Sequence, residues 1–177
     1  QTETETAKEE TESSEKTTDK EEADAEEAEA EADSDEDEAE EEEAVEEIEA
    51  AIEVENDLRS EIVTYALQFV GNRYKYGGTN PNTGVDCSGF TSYVMRHAAS
   101  VELPHSSSGQ SHMGRVVSSS EMRPGDIICY GSGKKINHVA LYIGNGQIVH
   151  ASTERTGIKV SRWNYRTPVR IVNVLGD

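Results

Sequence analysis

Cys87 is the residue with the most direct chemical promise. It follows Asp86 and opens a stretch to about Ala99 in which Phe90, Tyr93, Val94 and Ala98 recur along one side, as in an amphipathic helix. Asp86 is suited to cap that helix. A thiol is a poor nucleophile until it loses its proton, and the unpaired N–H groups and dipole of a helix start favour the thiolate. Gly84 and Gly89 leave room for a substrate chain to approach the backbone. A general base is also needed, and histidine titrates near neutrality.

Of the five histidines, His97 falls within the helix and reads as a surface or packing residue. His105 and His112 lie in a polar loop, where nothing singles them out. His138 and His150 differ, because they lie on the two arms of a hairpin signalled by Gly144-Asn145-Gly146. Register decides whether they cooperate. A strict two-residue Asn145-Gly146 turn would set His138 opposite Thr153 and turn His150 to the other face. An odd-length loop centred on Asn145 sets His138 opposite Ser152, with His150 its diagonal neighbour on the same face at about 7–8 Å. The second register is expected. His138 then takes the Cys87 proton and later protonates the leaving amine, while His150 orients it. The Cys87 backbone N–H and a tyrosine hydroxyl from the preceding loop are the candidate oxyanion donors.

The elements that must hold these residues follow from the pattern. Ile62, Val63, Ala66, Leu67 and Val70 form the apolar face of a helix ending before Gly71-Asn72. Strands are expected at Ile127–Tyr130, His138–Ile143, Gln147–Ala151, Ile158–Ser161 and Val169–Leu175. Helices followed by an antiparallel meander make an α+β domain over residues 58–177. Residues 1–58 carry 29 acidic side chains against 3 lysines, whereas residues 59–177 carry 7 against 13 basic ones, a split of −26 and +6. Up to Ala44 the chain has no aromatic, Leu, Ile or Val, so residues 1–57 read as a disordered, solvated acidic linker. Val45, Ile48 and Ile52 hint at a short helix near 44–57. This tail reads as a plain spacer, with an acidic flap that screens the basic domain as the functional alternative. No run of about 20 apolar residues suggests a membrane span.

The segment YKYGGTNPNTGVDCSGFTSYVM (74–95) closely resembles the NlpC-type family of papain-like cell-wall peptidases. The resemblance continues through LPHSSSGQ (103–110), RPGDIICY (123–130) and HVALYIGNGQIVHAS (138–152). It implies a papain-like fold, with N-terminal helices on an antiparallel sheet of about five strands. It also implies Cys87, His138 and His150 as catalytic triad, with Tyr74 beside the thiol. The implied partners are peptidoglycan stem peptides, cut between γ-D-glutamate and the diamino acid by a secreted, wall-associated enzyme. Asp86 and Ser88 would receive a free stem amine, and Ser107 and Gln110 are further substrate-binding candidates. No cofactor and no metal are expected, and a monomer is.

The sequence departs from the family at Tyr76 (usually Trp), Arg73 (usually Pro), His105 (commonly Arg) and Cys129-Tyr130 (usually an aromatic pair), positions that bear on subsite preference. Other readings are a related wall amidase, a wall-binding module without catalysis, a Cys87–Cys129 disulfide, or zinc on Cys87 and the histidines. His150 weighs against the amidase, the intact triad against the module, and the absence of CxxC or HxxxH against zinc. The +6 charge suits attraction to anionic wall polymers. No interleaved aromatic–basic groove points to nucleic acid.

Overall fold

The computed structural model describes residues 34–177, with side chains described mainly from residue 53 onward. The expected acidic tail falls largely on residues 1–33, outside the described residues. From Ser34 the chain is helical: α1 spans Ser34–Leu67 without a break near residue 57. The expected short helix and the helix carrying Ile62 are thus one element. Charge repulsion suggested an extended chain, but Glu and Ala are among the strongest helix formers. Residues 42–177 form a compact unit.

In that unit α1 is followed by the two-residue strands β1 (Thr79–Asn80) and β2 (Gly84–Val85), then α2 (Cys87–Ala99) and the short α3 (Ser107–Gln110). The sheet strands are β3 (Arg115–Val116), β4 (Ile127–Ser132), β5 (Lys135–Gly144), β6 (Gln147–Thr153), β7 (Gly157–Arg162) and β8 (Pro168–Asn173). They form one antiparallel sheet in the order β3-β8-β4-β5-β6-β7. All five expected strands are present. The sixth, β3, is an edge strand too short to show a period of two. The fold is α+β and papain-like, with helices packed on an antiparallel sheet.

Alternation along the strands sorts the core into two layers. Ile62 and Ala66 of α1, with Phe90, Val94 and Met95 of α2, pack on Cys129, Val139, Leu141, Val149 and Ala151. Ile128, Tyr130, Ala140, Tyr142 and Ile148 form a separate cluster with Val117 and Ile171. The α1 helix is also held by charge. Arg59, 3% exposed, donates to both carboxylate oxygens of Asp177 (2.7 and 3.0 Å), to Asp126 Oδ1 (3.2 Å) and to the Pro124 carbonyl. Arg123 adds contacts to Glu55 and to Asp177 Oδ1. Within the RPGD turn Asp126 accepts from the Arg123 N–H at 2.9 Å, so the turn that starts β4 is bolted to α1.

Candidate active site

Asp86 is the N-cap of α2, with extended backbone, and its Oδ1 accepts from the Gly89 N–H at 2.8 Å. Cys87 therefore occupies the first helical position and is half-buried. Gly89 is a steric necessity: a Cβ there would lie 2.2 Å from the Gly78 carbonyl oxygen. That close approach seats the loop before Asp86 against the helix start. The N–H groups of Val139, Ser88 and Cys87 itself bear on the sulfur. The thiol is thereby set against β5 at the residue following His138.

The hairpin has the register that cooperation requires, by a route slightly different from the expected one. Leu141 pairs with Val149 and Tyr142 with Ile148, the register that sets His138 opposite Ser152. The turn itself is the two-residue Asn145-Gly146, both with positive φ, closed by Gly144↔Gln147. The odd residue comes from a bulge between Tyr142 and Gly144 rather than from the loop. The consequence for the imidazoles is direct: His138 Nε2 and His150 Nδ1 are 2.8 Å apart, with both residues buried. His138 Nδ1 is left for another partner. Behind the pair, His150 Nε2 lies 3.0 Å from Ser161 Oγ of β7.

Burial sets the protonation states. It drives His138 down to about 4, with Arg166 adding to the effect. It drives His150 down to about 3, with His138 and Lys159 contributing. The Cys87 thiol is pushed up, chiefly by burial; the Val139 N–H opposes this and the Asp86 carboxylate adds to it. The resting pair is thus a neutral thiol and a neutral imidazole. The helix start pulls towards the thiolate as expected, but desolvation outweighs it.

The remaining sequence candidates separate clearly. Tyr74 is half-buried, bridged to Val85, and its hydroxyl is pushed up by burial and by proximity to Cys87 and Asp86. Asp86 is 8% exposed and heavily engaged: besides Gly89, its Oδ1 contacts His105 Nε2 at 2.8 Å, and its Oδ2 accepts from the Gly77 N–H at 2.9 Å. Ser88 is buried, its hydroxyl 3.4 Å from Asp86 Oδ1. Ser107 is half-buried at the start of α3. Gln110 is the most deeply set of these candidates. It is fully buried, its Oε1 accepting from Thr91 at 2.6 Å and its Nε2 donating to Ser88 O, Ser92 Oγ and Pro104 O, each at 2.9 Å. Its amide ties the loop to α2.

Of the residues at which the sequence departs from the family, Tyr76 is 84% exposed, and Cys129 is a free, buried thiol pushed up to about 12 by burial. Cys87 is free as well, so the two form no disulfide. Sequence reasoning passed over His105, Ser161 and Tyr165. Tyr165 lies near the thiol, with its ring centroid 5.4 Å from that of His150. Only His105 carried a signal, as a departure from the common arginine.

A family model described as the NlpC/P60 family matches residues 71–171. The chain belongs to the NlpC/P60 family. Among relatives, the murein DD-endopeptidase MepS/murein LD-carboxypeptidase of Escherichia coli (strain K12) is 41% identical over 108 residues, 61% of this chain and 56% of that protein. The gamma-DL-glutamyl hydrolase of Bacillus subtilis (strain 168) is 37% identical over 107 residues, 60% of this chain and 25% of that protein. The matched segment thus spans about half or less of these relatives' lengths. The crystal structure of the NlpC/p60 domain of the peptidoglycan hydrolase SagA aligns with a TM-score of 0.60 and 32% identity, covering 65% of this chain and 97% of that one. Among the described residues no NlpC/P60 helix here is long and apolar enough to cross a membrane.

Proposed function

We propose that residues 58–177 form a peptidase domain that hydrolyses peptidoglycan stem peptides by cysteine nucleophilic catalysis. The observation that carries this reading is the buried His138–His150 contact, on a strand whose next residue, Val139, turns its N–H to the Cys87 thiol at a helix start. His138 Nδ1 takes the Cys87 proton as the sulfur attacks the scissile carbonyl, because neither partner is charged beforehand. The tetrahedral oxyanion is received by the Cys87 N–H and the Tyr74 hydroxyl. His138 then protonates the leaving amine, and water cleaves the thioester by the reverse route. Asp86 is left with little spare acceptor capacity, so it reads a stem amine through Oδ2 alone, with His105 setting the other oxygen.

The bond we favour lies between γ-D-glutamate and the diamino acid, in keeping with the name of the Bacillus subtilis relative. The name of the Escherichia coli relative supports a second reading, cleavage of a D,D cross-link. Such work is done outside the cytoplasmic membrane, and a basic domain suits a wall rich in anionic polymers. Mass spectrometry of muropeptides digested by the wild type and by Cys87→Ala tests the proposal. New termini at the γ-glutamyl bond, absent with Cys87→Ala, are expected. Termini at the cross-link alone would select the second reading, and equal products from both proteins would reject both.

A further inference from the structure

We infer that Ser161 is a positioning residue of this site, and that its hydroxyl supplies the acceptor which the productive direction of the hydrogen bond between His150 and His138 requires. This rests on the reading of Cys87 and His138 as nucleophile and base. A carboxylate at the third position of such a triad can only accept, so it dictates which nitrogen of the base carries the proton. An imidazole can donate or accept. With His150 in that position, the productive direction needs an acceptor behind it.

The geometry supplies one. β6 and β7 pair Ile148 with Ser161 and His150 with Lys159, which puts Ser161 diagonal to His150. Ser161 Oγ lies 3.0 Å from His150 Nε2. For His138 Nδ1 to accept the thiol proton, the neutral ring must carry its own proton on Nε2 and donate it to His150 Nδ1. His150 must then carry its proton on Nε2 and donate to Ser161 Oγ. In the opposite arrangement His150 Nδ1–H donates to His138, whose proton sits on Nδ1 and blocks transfer from the thiol. His150 is 1% exposed, so without Ser161 its Nε2–H would be a buried donor lacking a partner. Buried N–H groups are rarely left so, and the reversed tautomer becomes the better one.

The test combines nitrogen-detected histidine NMR with steady-state kinetics on wild type, Ser161→Ala and Ser161→Thr. The wild type is expected to hold the His150 proton on Nε2. Ser161→Ala should shift it towards Nδ1 and lower kcat about tenfold with KM little changed. Ser161→Thr keeps a hydroxyl on a strand and should restore both. A His150 proton on Nδ1 in the wild type would overturn the inference, as would an unchanged tautomer or an unchanged kcat in Ser161→Ala. The tautomer reading needs no variant to fold. A Cys87→Ala protein that still cleaved would instead sink the underlying mechanism, so the two failures are distinct.

Discussion

Along His138, His150 and Ser161 every partner is neutral and each can donate or accept, whereas around Arg59 nearly every partner is charged and saturated. Both groups are largely buried, and both join elements distant in sequence. At Asp177 desolvation is answered by opposite charge: burial raises the carboxyl, but hydrogen bonds from Arg59 and Asn173 hold it well below the usual carboxylate range, while at Asp126 burial still outweighs the pull of Arg123 and Arg59. Along the histidines nothing answers it, and both rings stay neutral. A paired ion cluster holds elements in place and resists change. A neutral relay can accept a proton and return it. On the proposed reading, the difference marks which cluster is scaffold and which is machinery.

Removing the base should separate the two most sharply. His138→Ala is expected to lower kcat by about 10³–10⁴-fold while the melting temperature stays near that of the wild type, read by muropeptide release and calorimetry. Arg59→Ala should do the reverse. It strands Asp126 and Asp177 without their cation and should cost about 3–5 kcal/mol of stability, measured by denaturant unfolding, with kcat retained at low temperature.

Acid should then take the clusters apart in sequence. Unfolded histidines charge below about pH 6.5, but folded His138 and His150 stay neutral down to about 4 and 3. The unfolded chain binds more protons across that window, so stability is full above pH 6.5 and falls as pH drops, by about 2 kcal/mol per histidine at pH 5. Asp177 is shifted in the same direction, but it is the charged form that folding favours there, so its contribution is present above the ordinary carboxylate range and lost only at lower pH. His150→Asn should flatten the first limb and leave the second.

Much of the site could be read from local pattern. The strands alternate, the Gly-rich turn marks the hairpin, and the need for two histidines on one face selects its register. The turn chemistry was less legible, because a bulge and a longer loop shift the register equally. From sequence, α1 reads as two pieces, since only Val45, Ile48 and Ile52 mark an apolar side in its Glu-rich part, although propensity alone favours a helix there. Arg59, Ser161, His105 and Gln110 owe their roles to partners 11 to 118 positions away in sequence. No local period encodes such contacts. Gln110 is the clearest case: its amide joins the loop to α2 through contacts that no local pattern announces.

The most direct measurement is acid-quench mass spectrometry of the enzyme during turnover of a stem peptide. The acyl half of the substrate is expected as a hydroxylamine-labile thioester on the Cys87 peptide, and to be lost in His138→Ala. Turnover at the wild-type rate by Cys87→Ala, with no adduct on Cys87 in the wild type, would contradict it.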